Sequence, residues 1–156
     1  LLKGLPISVF DTVFKSIHLS KNAQEFISIL QKKGILVGLV SGGFTPIVER
    51  LAESLGIYYF SANLLEVKDG FLTGKLVGEI VTGQVKNATL EKWRKELELP
   101  KERTIAIGDG ANDLLMLKTA GHGIAFCAKE VVKAEIACHV DTRDFLEVLP
   151  LIDFLE

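Results

Sequence analysis

Thr104-Ile105-Ala106-Ile107-Gly108-Asp109-Gly110-Ala111-Asn112-Asp113 is the stretch that decides how this chain folds. An apolar, β-prone run ends in a glycine, and Asp109, Asn112 and Asp113 follow at once. A buried parallel strand reads this way where its C-terminal end delivers side chains into a cleft. Asp109 and Asp113 converging there suit a hard cation such as Mg²⁺, which takes a few oxygen ligands together with oxygens of its substrate. The chemistry implied is that of a phosphoryl group.

Outward from this stretch, strand and helix signals alternate. Residues 6–17 predict a helix entered through Pro6, with Val9, Phe10, Val13, Phe14 and Ile17 apolar. Ser20 stands as a cap before Ala23, Phe26, Ile27 and Leu30, which share one helix face that Gly34 closes. Residues 35–40 are a near-continuous apolar run, hence a buried strand. Ser41-Gly42-Gly43 follows as a turn, with Thr45-Pro46 as cap and first turn of a helix running to Gly56. Residues 57–60 read as a short strand. Asp69-Gly70, between Lys68 and Phe71, is a hairpin signal because it tolerates positive φ. A helix is expected over 85–99, with Leu90, Trp93 and Leu97 on one face. Strands near 104–108, 122–126 and 136–140 follow, with helices near 112–120 and 143–155. The sum is an α/β fold: a mainly parallel, Rossmann-like sheet flanked by helices, with a β-hairpin excursion near 63–81.

The 156 residues suit one domain, 48% hydrophobic and 24% charged. A net charge of −2 argues against a nucleic-acid or anionic-membrane partner held by bulk electrostatics. No apolar run approaches the roughly 20 residues that span a bilayer, and the N-terminus lacks a basic-then-apolar signal pattern. Cys127 and Cys138 are too few for a disulfide framework, so both are expected as buried small hydrophobes in a reduced, cytoplasmic protein. His18, His122 and His139 lack metal-ligand spacing and read as packing or surface residues. Residues 91–98 alternate charges as a solvated helix face does. The chain opens Leu1-Leu2-Lys3 and its one methionine is Met116, so Leu1 is not an initiator.

Three groups carry the chemistry. Ser41-Gly42-Gly43 precedes a helix, where glycines admit close approach and main-chain N–H groups with the helix dipole favour phosphate. The plainer reading of that segment is an ordinary glycine-rich turn. Asp109, Asn112 and Asp113 pack more polar specificity than a capped turn requires. Lys86 alone reads as a solvated lysine; beside the other two groups it supplies the cationic charge that phosphoryl transfer needs.

This combination resembles the haloacid-dehalogenase superfamily and, within it, the phosphoserine phosphatases. Ser41-Gly42-Gly43-Phe44 looks like the family's second motif, Lys86 its third and Gly108-Asp109-Gly110-Ala111-Asn112-Asp113 its fourth. The intervening residues 66–74 suit the family too, and residues 1–6 look like the close of its helical cap. The resemblance covers essentially all of the chain. It implies that Asp109 ligates Mg²⁺ and that Ser41 and Gly42, with Gly43 in the same loop, hold phosphoryl oxygens. It implies further that Lys86 neutralises the phosphoryl group and the nucleophile, that Asp113 steadies Lys86 or the metal's outer shell, and that Asn112 contacts substrate or phosphate. The implied substrate is a small phosphorylated metabolite, phosphoserine, in serine biosynthesis, and the implied reaction runs through an aspartyl-phosphate.

The family's nucleophile belongs to an Asp-x-Asp-x-Thr motif, and no Asp-x-Asp occurs in these residues. Phe10-Asp11-Thr12 is no substitute, because Asp11 lies in a helical pattern with no strand upstream. The expectation is therefore that residues 1–19 are the end of a cap and its return to the core, and that 20–156 are a phosphatase core without its first strand. That strand belongs between the one ending at Val40 and the one ending at Gly108. An N-terminal segment of the same protein or an exchanged partner segment would supply it, and the chain alone would be inactive. A related phosphatase or phosphotransferase on another phosphate ester, and a non-catalytic phosphate-binding homologue, remain open on the residues. A cation-pump phosphorylation domain shares the Gly-Asp-Gly-x-Asn-Asp loop, but Ser-Gly-Gly and the lack of a membrane segment count against it.

Overall fold

Strands and helices alternate through the computed structural model, which describes residues 1–153. The order is α1 (Val9–Lys15), α2 (Ala23–Lys32), β1 (Gly38–Phe44), α3 (Thr45–Ser54), β2 (Tyr59–Lys68), β3 (Phe71–Val77), α4 (Gly83–Glu96), β4 (Ile105–Gly108), α5 (Leu114–Thr119), β5 (His122–Phe126), α6 (Glu130–Lys133) and β6 (His139–Val140). Single-turn 3₁₀ segments cover Lys101–Arg103 and Ala111–Asp113, and a longer one covers Phe145–Leu151. The fold is α/β with parallel strands flanked by helices, as the sequence pattern implies.

Several boundaries differ from expectation, each for a local reason. The strand expected over 35–40 begins at Gly38, because its partner β2 begins only at Tyr59, directly opposite Gly38. Ile35 and Val37, ahead of the ladder, instead pack against the core. The strand also runs on through Ser41-Gly42-Gly43, which were expected as a turn beyond it. The short strand expected at 57–60 is the start of β2, a single element that pairs parallel with β1 and then antiparallel with β3. The hairpin between β2 and β3 turns at Asp69 (φ 52) and Gly70 (φ 82), as Asp-Gly predicts.

Asn22, in the left-handed region, caps α2 where Ser20 was expected. Its side chain makes no capping hydrogen bond; the amide instead donates to Asp144 at 2.8 Å, beside a 2.8 Å Lys21–Asp144 ion pair, and Ser20 contributes only its carbonyl to Ala23. Thr45 lies inside α3, whose cap is Phe44. Helix 143–155 is instead the 3₁₀ segment Phe145–Leu151, which contains Pro150 and so lacks one donor; residues 154–156 lie outside the described residues. Both cysteines are free but only half-buried.

The strands form two three-stranded sheets, β1-β2-β3 and β4-β5-β6. Among the described residues, β1 has no strand partner on the side away from β2, and β4 has none on the side away from β5. Yet both strands lie between the same two apolar layers. On one face, Phe26, Leu30, Val148 and Ile152 form a cluster against which Val37, Ile105 and Ile107 pack. On the other, Ala106, Met116 and Leu117 form a cluster that takes Val40 and Leu90. Leu39, Val40, Ile105 and Ile107 are only half-buried, whereas central strands of a parallel sheet are covered on both faces. β1 and β4 are thus the edge strands of their sheets, and they share the two layers.

Close packing of α5 on β5 sets where the turn ahead of α5 lies. A Cβ at Gly123 would stand 2.1 Å from the Leu117 carbonyl oxygen, a main-chain atom that cannot swing aside. Gly123→Ala is expected to lower the unfolding free energy by about 1–3 kcal/mol, read from urea denaturation.

Candidate active site

At the C-terminal end of β1 the ladder is broken by design of its register. Val40 opposes Ser61 and Phe44 opposes Asn63, so Ser41, Gly42 and Gly43 bulge out of the pairing with β2. Within the bulge the Gly43 N–H donates to the Ser41 hydroxyl oxygen at 2.9 Å. The Ser41 hydroxyl keeps its own hydrogen as a donor.

The α4 helix begins beside this bulge. Thr82 caps it, its hydroxyl oxygen accepting the Val85 N–H at 3.3 Å. Its first residue is Gly83, where a Cβ would meet the Asn112 carbonyl oxygen at 2.9 Å. A glycine therefore lets the helix close on the Asp109–Asp113 turn. One helical turn later Lys86, 7% exposed, reaches that turn: its Nζ donates to Asp113 Oδ1 at 2.7 Å. The pair is buried on both sides, with side-chain exposures of 9% and 6%.

The other oxygen of Asp113 is also engaged. Oδ2 accepts the N–H groups of Asp109 and Gly110, each at 3.1 Å. This carboxylate therefore shapes the turn that presents Asp109. Gly108 makes room for it, since a Cβ there would lie 2.6 Å from Asp113 Cβ. Burial alone would push the Asp113 carboxyl up, but the hydrogen bonds from Lys86 and from the Gly110 and Asp109 N–H groups, with the Lys86 charge, outweigh it and hold it below the usual carboxylate range.

Asp109 is exposed at the end of β4, and its carboxylate makes no hydrogen bond or ion pair among the described residues. Its main-chain carbonyl accepts from Lys129 N–H at 3.1 Å, which ties the turn to the loop after β5. An open anionic oxygen at this place fits a hard cation such as Mg²⁺ as one ligand. No group of three or more His, Cys, Asp or Glu side chains among the described residues forms a complete metal site.

Lys86, Asp113 and Asp109 thus form one connected network, and the Ser41–Gly43 bulge joins it through the start of α4. Asn112 lies in the turn with its side chain exposed and its carbonyl against Gly83. Asp11 sits on α1 in an ion pair with Arg50 at 2.6 Å. Sequence reasoning missed Gly83 and Asn63. Asn63 is 6% exposed, donates to the Gly42 carbonyl at 2.9 Å and accepts the Val81 N–H at 2.8 Å. The available signal was an amide inside a strand, a position such residues disfavour.

The family model for haloacid dehalogenase-like hydrolases matches residues 1–118. The chain belongs to that family of hydrolases. Its place within the family is among the phosphoserine phosphatases: the protein of that name from Streptococcus thermophilus is 53% identical over 97% of this chain and 71% of its own length. A structure of a phospho-aspartyl intermediate analogue of phosphoserine phosphatase superposes with a TM-score of 0.90 at 43% identity, covering 96% of this chain and 72% of that one. A substrate-bound phosphoserine phosphatase complex gives a TM-score of 0.91 at 43% identity, covering 96% and 71%. Among the described residues no helix is long and apolar enough to cross a membrane.

Because the folded Asp113 carboxyl titrates below its unfolded value, its contribution to stability is full above the unfolded value and is lost as pH falls through the folded one. Wild-type stability is expected to decline on acidification below about pH 4, and Asp113→Ala to remove part of that slope. At neutral pH Asp113→Ala leaves Lys86 buried without its partner and is expected to cost about 3 kcal/mol, measured by urea unfolding across a pH series.

Proposed function

We propose that this site hydrolyses O-phosphoserine to serine and inorganic phosphate, and that a carboxylate nucleophile reaches it on a strand seated between β1 and β4. The observation that carries the reading is the buried Lys86–Asp113 pair, whose carboxylate shapes the turn presenting Asp109, with the Ser41–Gly43 bulge tied through Asn63 to Val81 just ahead of the Lys86 helix. Each part suits one portion of a phosphate ester. The Ser41 O–H and the Gly42 main-chain N–H bind phosphoryl oxygens, while the Gly43 N–H holds the Ser41 hydroxyl. The Lys86 ammonium, held in place by Asp113, faces the charge that grows on the phosphoryl group and neutralises the attacking carboxylate. Asn112, exposed beside Asp109, contacts substrate or phosphate.

Mg²⁺, held through Asp109, would offset phosphate charge and orient the ester for in-line attack. The attacking carboxylate bonds to phosphorus as the ester P–O bond breaks, and the serine oxygen takes a proton from solvent and leaves as the alcohol; water then attacks the acyl phosphate, loses a proton to solvent, and releases inorganic phosphate as the carboxylate is restored. The relative described as a phospho-aspartyl intermediate analogue supports this two-step course. Residues 1–19 are placed at the return from a cap, and 20–156 as a core completed by the additional strand. That strand comes from an N-terminal segment of the same protein or from an exchanged segment of a partner. In this reading the protein works in the cytoplasm.

The absence of any Asp-x-Asp pair in these residues favours one second reading, a phosphate-binding homologue without turnover. Both are decided by assaying phosphate release from O-phosphoserine in Mg²⁺, using the chain alone and the chain with a segment carrying Asp-x-Asp-x-Thr at the end of a strand. The proposed function requires release in the mixture and phosphate binding without release by the chain alone. Binding with no release in the mixture establishes the second reading, and release by the chain alone refutes the external nucleophile. In the active assembly, Asp109→Asn is expected to cut Mg²⁺-dependent turnover at least about 100-fold through loss of one ligand charge.

A further inference from the structure

We propose that Asn63 is a positioning residue for phosphate recognition, its side-chain amide clamping the Ser41–Gly43 bulge to the segment that starts the Lys86 helix. The proposal rests on the phosphate-site reading above. Asn63 is buried in β2, where a side-chain amide must find partners or forfeit its hydration. It finds them on two other segments: Nδ2 donates to the Gly42 carbonyl at 2.9 Å, and Oδ1 accepts the Val81 N–H at 2.8 Å. Its main-chain carbonyl accepts the Thr45 hydroxyl at 3.1 Å, at the first residue of α3. One residue of β2 therefore holds the bulge, the helix after it and the residue preceding the Thr82 cap of α4.

The consequence follows from peptide planarity. In a trans peptide the N–H points opposite to the preceding C=O, so fixing the Gly42 carbonyl toward Asn63 also fixes the direction of the Gly43 N–H. That N–H then meets the Ser41 hydroxyl oxygen at 2.9 Å, which sets where the Ser41 O–H can point. The same amide holds Val81, and with it the register at which Gly83 and Lys86 meet the Asp113 turn. Without the clamp, two glycines in a bulge with no ladder partners have little else to select one conformation. Asn63 touches no substrate; it decides where groups that do are aimed.

The test compares phosphate affinity with stability. Inorganic phosphate in Mg²⁺ is titrated calorimetrically into the wild-type chain and into Asn63→Leu, which keeps the size of the side chain and removes both polar ends without adding charge. Asn63→Ser serves if the leucine variant does not fold. Leu65→Ala is the stability control: Leu65 is equally buried on β2, but it packs against Phe10 and Leu72. The expected result is phosphate binding weakened about 10-fold in the Asn63 variant, the size of one lost hydrogen bond to a charged group. Leu65→Ala is expected to bind within about twofold of wild type despite losing at least as much stability. Equal phosphate affinity in wild type and the Asn63 variants overturns the clamp alone. No phosphate binding by the wild-type chain overturns the site reading and the clamp with it.

Discussion

The Lys86–Asp113 ion pair is the constraint on which the geometry of the cleft depends. At 2.7 Å and buried on both sides, it is a poor source of stability, because desolvating two charges offsets most of their attraction. Its value lies in what the second oxygen of Asp113 does. By accepting the N–H groups of Asp109 and Gly110, the same carboxylate fixes both the cation and the turn that carries the outward-facing Asp109. A neutral side chain of similar shape would fill the volume but would not couple these positions. The arrangement also requires missing atoms: Gly108 leaves space for Asp113, and Gly83 lets α4 approach the Asn112 carbonyl. Charge, hydrogen bonds and absent Cβ atoms converge on one placement of Lys86.

The two sheets acquire meaning from the same place. The C-terminal half of β1 carries the bulge and β4 leads into the Asp109 turn, and each strand has an unpaired edge among the described residues. Free edges are a liability that folds normally cover or blunt. Here they are sheltered between two shared helical layers, with Val40 and Ala106 in one cluster and Val37 and Ile105 against the other. Two independent sheets would have no reason to share both layers. Leu39, Val40, Ile105 and Ile107 are only half-buried between those layers, and in the function proposed above the strand seated between β1 and β4 would cover them, coupling completion of the sheet to completion of the site.

Much of this was legible in the sequence because it is local. Residues 104–113 announce a strand and a polar turn through composition alone, and Asp69-Gly70 announces a hairpin through backbone preference. The buried face of α2 around Phe26 and Leu30 follows from spacing. Where tertiary contacts compete, local rules lost. Ser20 and Asn22 are equally suited to capping by type, and Asn22 takes the position where Asp144 engages its side chain from the far end of the chain. The apolar run at 35–40 looks like strand throughout, yet Ile35 and Val37 serve the core before the ladder begins. Lys86 had no local signature; its role becomes visible only once Asp113, 27 residues away, is beside it.

Asn63 shows most clearly why the remainder was hidden. Its two side-chain hydrogen bonds span 21 and 18 residues, to Gly42 and to Val81, and neither partner advertises the contact, because both are main-chain groups. No periodicity or motif encodes a bond from a side chain to a distant carbonyl. The only local cue is negative: an amide where a strand prefers β-branched or aromatic residues. That mismatch falls at the point where β2 leaves β1 and begins to pair with β3. Polar residues that a strand tolerates poorly persist where they do something a ladder cannot, and at such a junction the nearest unpaired groups belong to the bulge. A disfavoured residue at a change of pairing partner is therefore a cue that the sequence offers and that helix and strand patterns overlook.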